Sequence, residues 1–271
     1  MTAIDVEKIA GLIRGVARRQ IMPRFARLAE HEVREKFHGE LVTVADEAAE
    51  AWLDPQLVAA LPGSLVVGEE AAAANPDLIC RLADSDEPIW TIDPLDGTSN
   101  FASGKSTFAV MVALARHGEL LAGWIYEPVR NVMAMAERGS GATINGEPAR
   151  VRPAPTEDRE FRGPVVAGTF GSLELAERMR SRRARVDAVR SRRCAGAEYV
   201  SLASGEYHFA VFTRMMPWDH APGVIIHREA GGWSAHGDGA PYVPGQLDAS
   251  ALLLAPDRDS WRRLRRILME P

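Results

Sequence analysis

Sulfur chemistry is nearly absent: of 271 residues only Cys80 and Cys194 are cysteines, far apart and without CxxC spacing. That excludes a disulfide framework and a thiolate zinc site, and it fits a reducing compartment. Lysine is scarce too, with Lys8, Lys36 and Lys105 set against positive charge that is otherwise arginine. The net charge of −5 and pI of about 5.9 leave no overall field to draw in nucleic acid or an anionic membrane. No apolar run is long enough to span a bilayer, and the opening MTAIDVEKIAGLIRGVARRQ carries charges where a signal peptide needs an unbroken apolar segment. The expectation is a soluble, cytoplasmic protein in which a small anionic ligand needs a local attractor.

What is present is globular composition, 46% hydrophobic and 25% charged, enough for one large domain or two closely packed halves. Ile9, Leu12, Ile13 and Val16 predict an opening amphipathic helix that extends past Pro23 in a second segment. A second helix is expected over 47–60, with Asp46 as its N-cap and LPG ending it. Strands are expected at 64–67, at IWTI before Asp93, at 108–115 and at 121–126, and Asn145–Gly146 signals a hairpin. After Pro153 and Pro155 strands and helices alternate, with VVAGTF, a helix over 173–183 and another from Ala195. No internal repeat is visible. The picture is helices layered on two sheets, in halves of roughly 1–152 and 153–271.

The stretch with the most chemistry is WTIDPLDGTSNF, Trp90 to Phe101. Pro94 fixes φ and Gly97 opens conformations closed to other residues, so a sharp, rigid turn is expected at the end of a buried strand. Asp93 and Asp96 held together there repel each other unless they are protonated, hydrogen-bonded or bound to a cation. With only oxygen donors nearby, a hard ion such as Mg²⁺ is favoured. Leu95 is expected to bury its side chain and lend its carbonyl, Thr98 to bring a hydroxyl, and the amides of Gly97, Thr98 and Ser99 to face an anion if a helix begins there. Taken alone, two aspartates in a turn are an ordinary capping pattern.

The companions decide between these readings. DPLDGTSNF resembles the first signature of the inositol monophosphatase family, Mg²⁺-dependent phosphatases of small sugar, polyol and related phosphates. WDHAPGVIIHREAGG, Trp218 to Gly232, is similar to the second signature, and Gly68-Glu69-Glu70 to the family's acidic element; the RGSGATINGEP hairpin and the order of all the pieces also match. The resemblance covers about Lys36 to the closing LLLAPDRDSWRRLRRIL. It implies a layered αβαβα sandwich, a single catalytic domain over 1–271 and a homodimer. It also implies two or three Mg²⁺ ions held by Glu69, Asp93, the Leu95 carbonyl, Asp96 and Asp219. In that scheme Thr98, backed by Asp46, and Glu69 prepare a metal-activated water that attacks the ester directly, without a phosphoenzyme. Lys36 would lie near the phosphate, although a one-residue gap interrupts its match.

Several residues have plainer readings. Glu69 and Glu70 before AAAA suit a helix N-terminus through the macrodipole alone, and Asp219 suits an N-cap for a helix over 221–229. The motifs favour ligation for Glu69 and Asp219; Glu70 stays open between supporting a ligand and capping. His220 and His227 share a helix face and are assigned no chemistry. The eight arginines from Arg178 to Arg193 are read as a solvated face rather than a nucleic-acid surface. In inositol-preferring relatives an acid stands seven residues before the second-signature Asp, and here Phe212 occupies that position. Glu198, Arg214 and His220 are candidates for the leaving-group pocket instead. Histidinol phosphate and nucleoside 3′,5′-bisphosphates stay open as substrates, as does a non-catalytic RNA- or protein-binding regulator on the same fold.

Overall fold

The computed structural model describes residues 4–37, 40–168, 172–248 and 251–270. Helix α1 (Val6–Val16) is capped by Asp5, which accepts from the Lys8 amide at 2.9 Å, and it buries Ile9, Ile13 and Val16. A π-helical turn, Ala17–Ile21, follows, then turns over 22–27 and a short 3-10 helix, Glu30–Glu32. The expected second helical segment past Pro23 does not form, because Pro23 has no amide to extend the ladder and Ala26 takes a left-handed φ of 57°.

Strands β1 (Val33–Phe37) and β2 (Glu40–Thr43) pair antiparallel, and helix α2 (Val44–Ala60) follows directly. Asp46 is not the N-cap of α2. Thr43 caps it by accepting from Ala45 N, and Asp46 reaches back to Thr43 N in a capping box. Next come β3 (Leu65–Gly68), α3 (Glu69–Ala74), α4 (Asp77–Asp84), β4 (Ile89–Asp96), α5 (Thr98–Ala102), β5 (Ala109–Arg116), β6 (Glu119–Glu127), β7 (Val132–Glu137), β8 (Ala142–Ile144) and β9 (Glu147–Pro148). Their strands form a seven-stranded sheet ordered β3-β4-β5-β6-β7-β8-β9, with β3 and β4 parallel and the rest antiparallel. Asn145 and Gly146 close the β8–β9 hairpin with φ of 51° and 85°, the left-handed pair such a turn needs.

The remaining elements are β10 (Arg162–Val166), α6 (Leu173–Arg182), β11 (Asp187–Val189), α7 (Ala195–Ala203), β12 (Ala210–Phe212), α8 (Pro217–Glu229), β13 (Trp233–His236), β14 (Leu252–Ala255) and α9 (Arg258–Leu268). Thr169 and Phe170, the end of the VVAGTF stretch, lie outside the described residues. The strands order as β11-β10-β12-β14-β13. Helix α8 starts at Pro217, a residue suited to the first turn because it has no amide to satisfy there. Asp219 therefore sits within that turn and is not the N-cap.

Alternation along the strands sorts the chain into layers. On β5, Val110, Val112 and Leu114 pack against α1 and α2, while Ala109, Met111 and Ala113 face α7 and α8. On β12 and β14, Phe212, Leu252 and Leu254 close on α7 and α8 from the other side, while Val211 and Leu253 face Met179, Trp261 and Leu264 of α6 and α9. The result is an α/β sandwich of five layers, αβαβα, with α7 and α8 between the sheets.

Candidate active site

Strand β4 is buried along its whole length and runs through the aspartate motif rather than stopping before it. Pro94 is tolerated because pairing with β5 slips between Asp93 and Asp96, freeing the position from the ladder. Gly97 then turns the chain with φ 89°, and a Cβ there would stand 3.0 Å from the Thr107 carbonyl oxygen, so only glycine fits. Helix α5 begins at once with Thr98. The Leu95 side chain is fully buried, as expected, and its carbonyl oxygen accepts from Thr98 Oγ1 at 2.9 Å.

Each acid is held from a different direction. Asp93 accepts from Leu95 N at 2.9 Å. Asp96 Oδ2 accepts from Gly196 N at 2.6 Å and from Cys194 Sγ at 3.0 Å, both at the start of α7. Asp46 takes Thr43 N at 2.9 Å and Thr43 Oγ1 at 2.5 Å on Oδ2, leaving Oδ1 3.1 Å from Thr98 Oγ1. Glu69 opens α3 and meets Lys36 Nζ at 2.9 Å; the same ammonium binds Glu70 at 2.6 Å. Lys36, expected beside the phosphate, thus neutralises the two glutamates. Arg214 lies with Nε 4.0 Å from Asp219 and Nη2 3.0 Å from Glu40.

Electrostatics reflect this crowding. Burial first, then Glu69, Asp96 and Asp219, hold the Asp93 carboxyl well above the usual range. Burial also raises Asp96, against the bonds from Cys194 and Gly196. Asp219 is pushed up to about 8 by burial, with Arg214 opposing, and Asp46 to about 7 by burial, with Thr43 opposing. Burial lowers the Lys36 pKa, but Glu69 and Glu70 outweigh it and hold it above the ordinary lysine value.

One cavity of about 230 Å³ gathers Glu69, Asp93, Leu95, Asp96, Asp219, Gly97, Thr98 and Ser99 with Glu40, Arg193 and Arg214. Among the described residues no three acidic, histidine or cysteine side chains close into a finished metal cage. Asp93, Asp96, Asp46 and Glu69 are each held by a protein donor, and Asp219 lies 4.0 Å from Arg214 Nε. Even so the donor set is carboxylate and carbonyl oxygen around buried charge with too few cations, and a hard divalent ion such as Mg²⁺ fits it.

A second cavity of about 290 Å³ shares Asp96, Asp219, Arg193 and Arg214 with the first and adds Glu198, Phe212, Thr213 and His220. Phe212 stacks on Tyr199, ring centres 5.5 Å apart, and leans on His220 at 4.9 Å. His220 is neutral, its pKa lowered to about 4 by burial, with Nδ1 3.0 Å from Tyr199 Oη and Nε2 2.5 Å from the Arg214 carbonyl oxygen. The arginine-rich stretch is partly structural and partly the solvated face expected: Arg178 and Arg182 bond the carbonyls of Met269 and Glu270 and Arg183 bonds that of Val189, while Arg180, Arg185 and Arg190 are exposed.

Sequence reasoning missed Glu40, Arg193, Cys194 and Gly196 at this site. It also missed Glu50, which takes Glu70 N and Ala71 N at 2.8 Å each and so sets the start of α3. A Cβ on Gly68 would collide with that carboxylate at 2.2 Å, which is why a glycine precedes Glu69.

The chain is similar to known proteins along most of its length. The model of the inositol monophosphatase family matches residues 4–264. Inositol-1-monophosphatase of Rhizobium meliloti is 30% identical over 227 residues, 82% of this chain and 83% of that protein. A fructose-1,6-bisphosphatase/inositol-1-monophosphatase of Thermotoga maritima is 32% identical over 198 residues, covering 71% and 70%. The solved structure of a Thermotoga maritima IMPase superposes with a TM-score of 0.77 at 26% identity, covering 96% of each chain.

Proposed function

The chain belongs to the inositol monophosphatase family and is a phosphoric monoester hydrolase, and we propose that it hydrolyses a small phosphate ester in the cavity built on β4, with Mg²⁺ as its ion. The observation that carries this reading is the meeting of Glu69, Asp93, Asp96, Asp219, the Leu95 carbonyl and the Thr98 hydroxyl around one cavity.

Glu69, Asp93, Leu95 O, Asp96 and Asp219 would hold two or three Mg²⁺ ions. Such ions, when bound, supply Lewis-acid neutralisation of phosphoryl oxygens and make water a better nucleophile. The chain's own groups do the positioning. Thr98 Oγ1, fixed between Asp46 Oδ1 and Leu95 O, orients the attacking water, and Asp46 holds that hydroxyl in register. Glu69, drawn from Lys36, would receive the water's proton. The amides of Gly97, Thr98 and Ser99 face the phosphoryl oxygens. No side chain is asked to become phosphorylated.

The leaving group would occupy the second cavity, between Glu198, Phe212, Arg214 and His220. Phe212 offers no hydrogen bond to ring hydroxyls, which argues against myo-inositol phosphate as the preferred ester. A homodimer in the cytoplasm completes the proposal on family likeness, and among the described residues no helix is long and apolar enough to cross a membrane.

The test is phosphate release from sugar, inositol, histidinol and nucleotide phosphates, with and without Mg²⁺, by the native chain and by Asp93→Asn. We expect metal-dependent release that Asp93→Asn abolishes while the circular-dichroism spectrum is retained. Undiminished activity in the variant would overturn the site assignment.

A further inference from the structure

Arg193 is the member of the arginine-rich stretch that lines the site, and its backbone is unusual. Its φ is +57°, in the left-handed region that L side chains seldom adopt and glycine adopts freely. The segment is locked there. Asn100, buried in α5, donates from Nδ2 to Thr107 O and Arg192 O at 2.9 Å each and to Arg193 O at 3.3 Å, and Arg193 N donates to Ser191 Oγ at 3.1 Å. A position whose backbone suits glycine but which carries the longest cationic side chain points to a use for that side chain.

Its neighbour shows the contrast. Arg192 is engaged by Glu206 and lies over the Tyr207 ring at 5.3 Å. The Arg193 side chain is exposed and makes no ion pair or hydrogen bond among the described residues, while lining both cavities. Arg214 lines both cavities as well, fixed through its carbonyl by His220 and through Nη2 by Glu40. The leaving-group cavity thus has two guanidinium groups at its junction with the reacting phosphate. Its own carboxylate, Glu198, has Oε1 occupied by Arg192 N at 2.6 Å.

We propose that Arg193, with Arg214, recognises a second anionic group, carboxylate or phosphate, on the leaving-group side of the ester, so that the preferred substrates are phosphate esters of acidic rather than neutral alcohols. A guanidinium matches either anion with paired hydrogen bonds. The inference rests on the phosphatase reading above and names the substrate class of the same site.

The test compares kcat/KM within matched pairs, in Mg²⁺, for the native chain, Arg193→Gly and Arg193→Lys. The pairs are glycerol 3-phosphate with 3-phosphoglycerate, for a carboxylate, and fructose 1-phosphate with fructose 1,6-bisphosphate, for a phosphate. Phosphoethanolamine supplies the opposite charge, the partner that Glu198 Oε2, without a hydrogen bond among the described residues, would select. Glycine suits the backbone at this position, so Arg193→Gly retains the fold, checked by its melting temperature.

We expect the native chain to prefer the acidic member of at least one pair; which pair identifies the anion. In Arg193→Gly that preference should fall about tenfold or more, mostly through KM, with Arg193→Lys intermediate. Equal losses on both members of each pair, no native preference for the acidic members, or a preference for phosphoethanolamine would each overturn the inference and leave the phosphatase reading standing. Metal-dependent turnover of none of the five esters or of the wider panel would sink that reading and this inference with it.

Discussion

Gly196 is where packing and chemistry meet most tightly, and replacing it with alanine gives a prediction with a worked size. A Cβ there would stand 2.9 Å from Ala109 Cβ, 3.0 Å from Ile125 Cγ2 and 3.2 Å from Asp96 Oδ2. Ordinary carbon contacts lie at roughly 3.5–4.0 Å, so about half an ångström must be found. Ala109 Cβ is fixed to the β5 backbone, so the movement falls on the start of α7. Overpacking of this kind costs about 1–3 kcal/mol, and the better helix propensity of alanine returns at most about 1 kcal/mol. At the middle of these ranges the net loss is about 1 kcal/mol, which should lower the melting temperature by roughly 2–4 °C. The same displacement carries the Gly196 amide off Asp96, whose Oδ2 it now meets at 2.6 Å. A shift of this order in a positioned group costs roughly ten- to a hundredfold in turnover. Melting curves and turnover across a Mg²⁺ titration would check both effects, with Cys194→Ala as a control that removes the Sγ contact without adding volume. A Gly196→Ala protein with native melting temperature and native turnover at every Mg²⁺ concentration would refute the argument that the start of α7 holds Asp96 in place.

Other perturbations address separate elements. Thr98→Val keeps the shape of the side chain but removes the hydroxyl between Asp46 and Leu95, and kcat should fall on the order of a hundredfold while the melting temperature stays within a few degrees; single-substrate kinetics would show it. Lys36→Met leaves Glu69 and Glu70 without their shared cation, so the metal-free protein should lose about 1–3 kcal/mol and regain more than the native chain on adding Mg²⁺; equal metal-induced shifts would contradict this. His227 is wholly buried, neither ring nitrogen has a partner among the described residues, and burial lowers its pKa to about 3 from 6.5. The unfolded chain therefore takes up the proton first as pH falls below about 6.5, and native stability drains away from there toward pH 3. A His227→Leu protein should escape this, and its advantage in urea melts should widen by about 1.4 kcal/mol per pH unit from pH 6 to 4; parallel curves would contradict it.

The local parts of this molecule could be read without coordinates, and the reasons are physical. Asp93, Leu95, Asp96 and Thr98 lie in one stretch whose proline and glycine announce its turn, and Val110 to Leu114 declare two buried faces by content alone. The two helix starts were misplaced because Thr43 and Asp46, or Pro217 and Asp219, are each plausible openings, and only the capping geometry decides. The Pro217 signal was available, since proline favours the first turn. The support for the site was not legible. Asp96 rests on Gly196, Glu50 sits under Gly68, and Arg214 reaches Glu40, across separations in which no spacing or periodicity survives. The left-handed backbone at Arg193 is likewise imposed by Asn100 from another part of the chain.

Helix α8 lies between the two sheets and covers the inner face of the first. A ribosome therefore releases Asp93, Asp96 and their strand long before it releases Asp219, and until then α7 alone is at hand to cover Met111, Ile125 and their neighbours on that face. Nascent or prematurely terminated chains ending ahead of Pro217 are left with a greasy surface and an incomplete set of acids.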